Sequence, residues 1–170
     1  MIVENGDGLA GADSYVTIDF ADDYFSARGV SGWESFDTVK KEQSLIRATD
    51  YIDNIFQWYG KKLVPEQSLR FPRENLRDYE GNEVSGIPTC LKQAVCDAAM
   101  MLANGTELFQ TQNENGDVVS ETITTLSFTY SKSEKTTTSK TLYDSINTKL
   151  RGLFRDTSSN RVVSGKVERA

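Results

Sequence analysis

Histidine is absent from the chain, and only two cysteines and three prolines occur among its 170 residues. Without an imidazole there is no Ser-His-Asp or Cys-His arrangement and no His-ligated zinc. Cys90 and Cys96 stand six apart in what reads as one helix, about 9 Å along its axis, too far for an unstrained disulfide. The pair is not CxxC and no further Cys or His completes a metal site, so both read as small buried apolar residues. The phosphate-cradling strings GxxxxGK[ST] and GxGxxG are missing too. A Ser/Lys pair such as Ser131-Lys132 needs a geometry that sequence does not supply. No catalytic residue, metal or cofactor is therefore expected, and the chain does not read as an enzyme. The longest helical apolar run, residues 98–103, falls far short of the roughly 20 residues that span a bilayer, so no membrane partner is expected. No basic start followed by an apolar run and a cleavage site is visible, which points to synthesis in a reducing cytoplasm.

What the sequence does contain is ordinary for a soluble globular protein: 38% hydrophobic and 26% charged residues. A chain of this length buries roughly 70% of its unfolded surface and needs no staple to hold a core. The net charge of −6 makes the chain as a whole a poor phosphate binder. That charge is unevenly spread. Residues 1–37 hold one basic against eight acidic side chains, a net −7, whereas residues 131–170 hold nine basic against four acidic, a net +5. Opposite signs at the two ends suit a head-to-tail contact between copies.

Hydrophobic spacing predicts a mainly α fold, a small bundle of about four helices. After a loop-like lead-in over residues 1–14, Thr17 is the N-cap of a first helix with Ile18, Ala21, Tyr24 and Phe25 on its apolar face. Gly29 is its C′ residue. A second helix is predicted from Thr38 to Phe56, with Leu45, Ile46, Thr49, Ile52 and Phe56 on one stripe. Lys40, Lys41, Asp50 and Asp53 fall largely elsewhere. Residues 60–87 form a loop too long to be idle, pinned to the domain by Leu63, Leu69, Phe71 and Ile87. Pro88 opens a third helix that ends at Asn104-Gly105 and is rich in small residues, Ala94, Ala98, Ala99 and Ala103 among them. Asn115-Gly116 marks a turn, and a β-hairpin insertion is predicted near 118–131, where Leu126, Phe128 and Tyr130 alternate with polar residues. A last helix over residues 141–154 carries Leu142, Ile146, Leu150, Leu153 and Phe154. Residues 155–170 have almost no large apolar side chains and read as an extended C-terminal tail beyond a helical domain of residues 1–154.

Two clusters invite a chemical reading. Asp19, Asp22 and Asp23 could meet a cation, yet they lack EF-hand spacing and match the helix dipole as solvated acids. The loop residues Lys61, Lys62, Arg70, Arg73 and Arg77 interleave with Trp58, Tyr59, Phe71 and Tyr79, the mix of cations and aromatics that a single-stranded nucleic-acid groove uses. Over residues 60–77 the count is five basic against two acidic. A loop whose aromatics fill the core while its charges face water explains the same pattern.

Several strings in order resemble one family. They are MIVENGDGLAGADSYVTIDFADDYFSARG, KKEQSLIRATDYIDN followed by WYGKKLVPEQSLRFPR, IPTCLKQAVCDAAMMLA, and SETITTLSFTY leading to LYDSINTKLRGLF. Together, over residues 1–154, they resemble the head–tail connector (adaptor, or head-completion) proteins of tailed bacteriophages, many of which are catalogued as DnaT-like single-stranded-DNA-binding proteins. The resemblance implies a structural subunit of the virion neck, made in the bacterial host and assembled as a homo-oligomeric ring, expected to be dodecameric. Such a ring would join the portal protein to a downstream stopper or tail-terminator protein and extend the channel through which duplex DNA passes. It also implies that the tail, with Arg155, Arg161, Lys166 and Arg169, docks on the portal or on a neighbouring subunit. Lys61, Lys62, Arg70, Arg73 and Arg77 are then the expected contacts to channel DNA. The alternative is a replication-type single-stranded-DNA-binding protein that uses Lys61, Lys62, Arg70 and Arg73 with Trp58.

Overall fold

A computed structural model describes residues 1–106 and 145–155, together with the backbone of residues 122–123 and 126–127. The described fold is mainly helical, as the spacing predicts. Its principal helices are α1 (Ile18–Ser26), α2 (Thr38–Ile55), α3 (Thr89–Ala103) and a short α4 over residues 145–150, with a single 3-10 turn at Trp33–Ser35. Two short antiparallel strand pairs complete it. β1 (Lys61–Lys62) pairs with β2 (Arg73–Glu74), and β3 (Thr122–Ile123) pairs with β4 (Leu126–Ser127), setting Ile123 opposite Leu126. The second pair falls inside the hairpin predicted for residues 118–131. The turn at Asn115-Gly116, the first residues predicted for the last helix and the tail from residue 156 lie outside the described residues.

The local chemistry of each helix end explains where it starts and stops. The Thr17 hydroxyl accepts the Phe20 N–H at 3.1 Å and the Asp37 carboxylate accepts the Lys40 N–H at 2.7 Å, each satisfying a donor that a helix start leaves unpaired. Gly29 takes the left-handed conformation that ends α1, and Gly105 does the same just past α3. The core sits where α2 packs along α3. Ala94, Ala98, Ala99 and Ala103 on α3 are all buried, as are Leu45, Ala48 and Ile52 on α2, and small side chains on one helix favour close approach of the other. Cys96 is buried and Cys90 half-buried, both as free thiols. Burial pushes the Cys96 thiol up to about 12, so it is inert at neutral pH.

Two residues expected on the polar side of α2 are buried instead. Lys41 reaches the Asp22 carboxylate at 2.9 Å, and Asp22 also accepts the indole N–H of buried Trp33 at 2.7 Å. Asp53 is enclosed by the N-terminal segment and the loop after α2. The Tyr15 hydroxyl donates to both of its oxygens, at 2.7 and 2.9 Å, and the Arg70 N–H donates at 2.9 Å. Periodicity missed both because each polar head finds its partner on an element remote in sequence. The N-terminal segment is likewise no free lead-in: the buried Glu4 carboxylate accepts the N–H groups of Gly6, Gly8 and Leu9 at 2.8–3.0 Å and curls the chain against residues 64–68.

Candidate nucleic-acid interface

The long loop after α2 is held as a platform by backbone contacts. Gly60 adopts φ +70, and a Cβ there would meet the Glu74 carbonyl oxygen at 2.4 Å, so β1 and β2 approach closely only because this residue is glycine. Phe71 and Trp58 pack edge to face with centroids 4.9 Å apart, and Trp58 in turn meets Phe56 and Phe154. The expected stacking residue Trp58 is therefore core. It is 8% exposed, its indole N–H has no partner among the described residues, and no base can reach its face.

The five basic residues of the loop divide into two groups. Arg73 donates from its guanidinium to the carbonyls of Tyr59, Gly60 and Arg70. Burial, with Arg70 beside it, lowers its pKa. Lys62 donates to the Gln67 carbonyl at 2.7 Å and Arg77 to the Gly81 carbonyl at 2.7 Å, so these three brace the loop. Lys61 and Arg70 are exposed, and among the described residues their side-chain nitrogens have no hydrogen-bond or ion-pair partner. Five acids, Glu66, Glu74, Asp78, Glu80 and Glu83, share the loop and cancel its five cations.

The C-terminal end of α4 docks across this platform. Leu153 O accepts the Tyr59 N–H at 3.0 Å, and the Arg155 N–H donates to the Gln57 carbonyl at 2.7 Å. Gly152, at φ +92, lies against Tyr79, whose backbone nitrogen is 2.9 Å from where a Cβ would stand. Two tyrosines consequently flank one segment. Tyr59 is 42% exposed with the Arg155 guanidinium 5.7 Å from its ring centre, and Tyr79 is 76% exposed with Arg151 at 5.5 Å. Arg155, expected in a free tail, thus belongs to the folded body, while Arg161, Lys166 and Arg169 lie outside the described residues. Sequence reading grouped Tyr59 and Tyr79 with the loop but missed their pairing with Arg151 and Arg155. The partners stand 72 and 96 positions apart, which leaves no local pattern to find them by.

A family model described as "Putative DnaT-like ssDNA binding protein" matches residues 1–170. The chain belongs to that family. No curated protein and no solved structure matches it. None of these comparisons speaks for the phage-neck connector identity that the ordered strings suggested; family membership stops at the DnaT-like description. Among the described residues there is no group of three His, Cys, Asp or Glu able to hold a metal, and no helix long and apolar enough to cross a membrane. Asp22, the centre of the acidic cluster, is occupied by Trp33 and Lys41.

Proposed function

We propose that this protein binds single-stranded DNA across the ledge formed by Tyr59, Tyr79, Arg151 and Arg155, with Lys61 and Arg70 as flanking phosphate contacts. The observation that carries the reading is the pair of exposed tyrosine rings, each with a guanidinium over it, on one docked segment. Unpaired bases offer faces to such rings, and a base–aromatic stack is worth about 1–3 kcal/mol without regard to sequence. Duplex DNA keeps its bases stacked inside and offers no such face. The family description supports the same ligand class. Because the loop's cations and acids cancel, the net charge of the face comes from Arg151 and Arg155. Binding then rests on stacking more than on phosphate charge, and its salt dependence is shallow. The measurement is anisotropy of a labelled oligothymidylate titrated at two or more salt concentrations. Binding that falls about ten-fold or more in Tyr59→Ala/Tyr79→Ala supports the reading. A wild-type chain that leaves the strand free at low salt, or a double variant that binds as well as wild type, overturns it.

The uneven charge and the ordered strings favour a second reading, a neck-ring subunit. In it the net −7 of residues 1–37 faces the basic end of a neighbour, and Arg161, Lys166 and Arg169 reach the portal protein. The ring would occupy the virion neck between portal and tail. Native mass and symmetry, with and without portal protein, test it: a closed ring supports this reading, and a monomer under both conditions removes it.

A further inference from the structure

The ledge is assembled from two parts of the chain that do not adjoin in sequence, and a polar cluster ties the second part, through α4, to the helical body. The described part of α4 spans residues 145–150, and tertiary contacts fix its place. Ile146, Leu150 and Leu153 bury its apolar side. On its polar side Lys149 donates to the Tyr24 hydroxyl oxygen at 2.9 Å and to the Asp97 carboxylate. Tyr24 donates to the other Asp97 oxygen at 2.8 Å, closing a three-way cluster between α1, α3 and α4. Arg28 covers the Tyr24 ring at 3.8 Å, and the Lys149 ammonium lies 5.5 Å from the same ring. The Lys149–Asp97 pair is only about a quarter to a third exposed, so water screens it less than a surface pair. Arg151 follows Lys149 by two residues and Arg155 by six.

We infer that the Tyr24–Asp97–Lys149 cluster is the positioning device of the ledge, holding α4 so that Arg151 and Arg155 come to lie over Tyr79 and Tyr59. The inference rests on the strand-binding reading for its consequence and on geometry for its substance. Leucine contacts fix that α4 is buried, but they allow rotation and sliding. A charged, three-partner contact specifies one register. Losing that register moves both guanidiniums together, because Gly152 and the Tyr59–Leu153 hydrogen bond follow α4 immediately.

Three measurements on Lys149→Met test this. Trp58 emission reports whether Phe154 still covers the indole, and hydrogen exchange of the 151–155 amides reports whether the segment stays docked. Oligothymidylate binding against salt reports the two arginines. The variant is expected to shift Trp58 emission to the red and lose protection at 151–155 while the α1–α3 amides stay protected. Its salt slope should flatten by about 1.4, the contribution of two phosphates on a single strand. Lys149→Arg restores emission and slope in large part, because a guanidinium can reach the same carboxylate. Tyr24→Phe, which removes one hydrogen bond and keeps the ring, shows the same changes at smaller amplitude if Lys149→Met fails to fold. Unchanged emission, protection and slope in Lys149→Met overturn the inference. A wild-type chain that binds no strand, with Lys149→Met still releasing the 151–155 segment, overturns the strand reading and leaves the cluster as the device that places the ledge.

Discussion

Asp53 and Lys149 each fasten segments remote in sequence, the first joining the N-terminal segment to the loop after α2 and the second joining α4 to the body. Asp53 does so without a cation in hydrogen-bond contact. Burial, only partly offset by the Arg70 N–H and the Tyr15 hydroxyl, pushes its carboxyl up to about 6. The Tyr15 hydroxyl is pushed up as well, by burial and by the Asp53 charge. For Lys149, burial works to lower the pKa, yet the hydrogen bonds and charge of Asp97 and Tyr24 hold the ammonium above its usual value. One fastener is a buried acid whose charge is costly, and the other is a cation whose charge is compensated. The difference teaches that the loop platform responds to pH around 4–6, whereas the Lys149 ammonium of the α4 clasp keeps its charge through the neutral range.

The largest way to break this comparison is Asp53→Ala. It leaves the buried Tyr15 hydroxyl and the part-buried Arg70 N–H without their acceptor, and the Phe71 N–H, which donates to Tyr15 at 3.0 Å, loses its anchor. Orphaning one buried and one part-buried donor costs about 3 kcal/mol. Urea unfolding should show it as a lowered midpoint at unchanged slope; a loss under 1 kcal/mol would show that the node is not what holds the platform.

Next in size is pH dependence. Because the folded carboxyl titrates near 6 and the unfolded one near 3.8, the folded state binds the extra proton between those values. Asp53 therefore contributes most stability below about pH 4 and loses that contribution as pH rises through 6, by about 3 kcal/mol in all. Other carboxylates act in the opposite direction, so the clean comparison is wild type minus Asp53→Asn across pH 3.5–7.5. The difference should drift by about 2–3 kcal/mol in favour of the variant as pH rises, and a flat difference contradicts the buried-acid assignment.

Lys149→Met comes third. Hydrogen bonds to charged groups are worth about 1.5–3 kcal/mol when buried, and partial exposure brings the expected loss to about 1–2 kcal/mol. Unlike the Asp53 effect, this loss should be constant from pH 5 to 8. A loss that varies with pH there would place Lys149 in the same electrostatic unit as Asp53.

These fasteners also mark where sequence reading ended. The bundle was legible because caps and small-residue spacing are local: Thr17, Gly29, the alanines of α3 and Gly105 all stand where the pattern placed them. Asp53, Lys41 and Trp33 were not, since nothing within a turn of each residue announces its partner. The basic loop was legible as a cluster but not in its roles. Whether an arginine braces a carbonyl, as Arg73 does, or faces water, as Arg70 does, depends on which backbone folds beneath it. Trp58 and Tyr59 are neighbours with opposite fates for the same reason: the docked 153–155 segment covers the first and leaves the second half open.

The smallest effect on stability, and the sharpest on the proposed site, is Tyr79→Ala. Its ring is three-quarters exposed and touches the fold chiefly through its backbone at Gly152, so stability should change by less than about 0.5 kcal/mol. Strand affinity should nevertheless fall five-fold or more, the lower end of what one stacked base contributes. Tyr79→Phe keeps the ring under Arg151 and should bind within two-fold of wild type, which separates stacking from a hydroxyl contact. Trp58→Phe is the counterpart in the core. It retains an aromatic ring against Phe71 and gives up an N–H that has no partner among the described residues, so it should leave strand affinity unchanged. If Trp58→Phe weakens binding and Tyr79→Ala does not, the strand lies on the core side of the platform and the ledge is not the binding face.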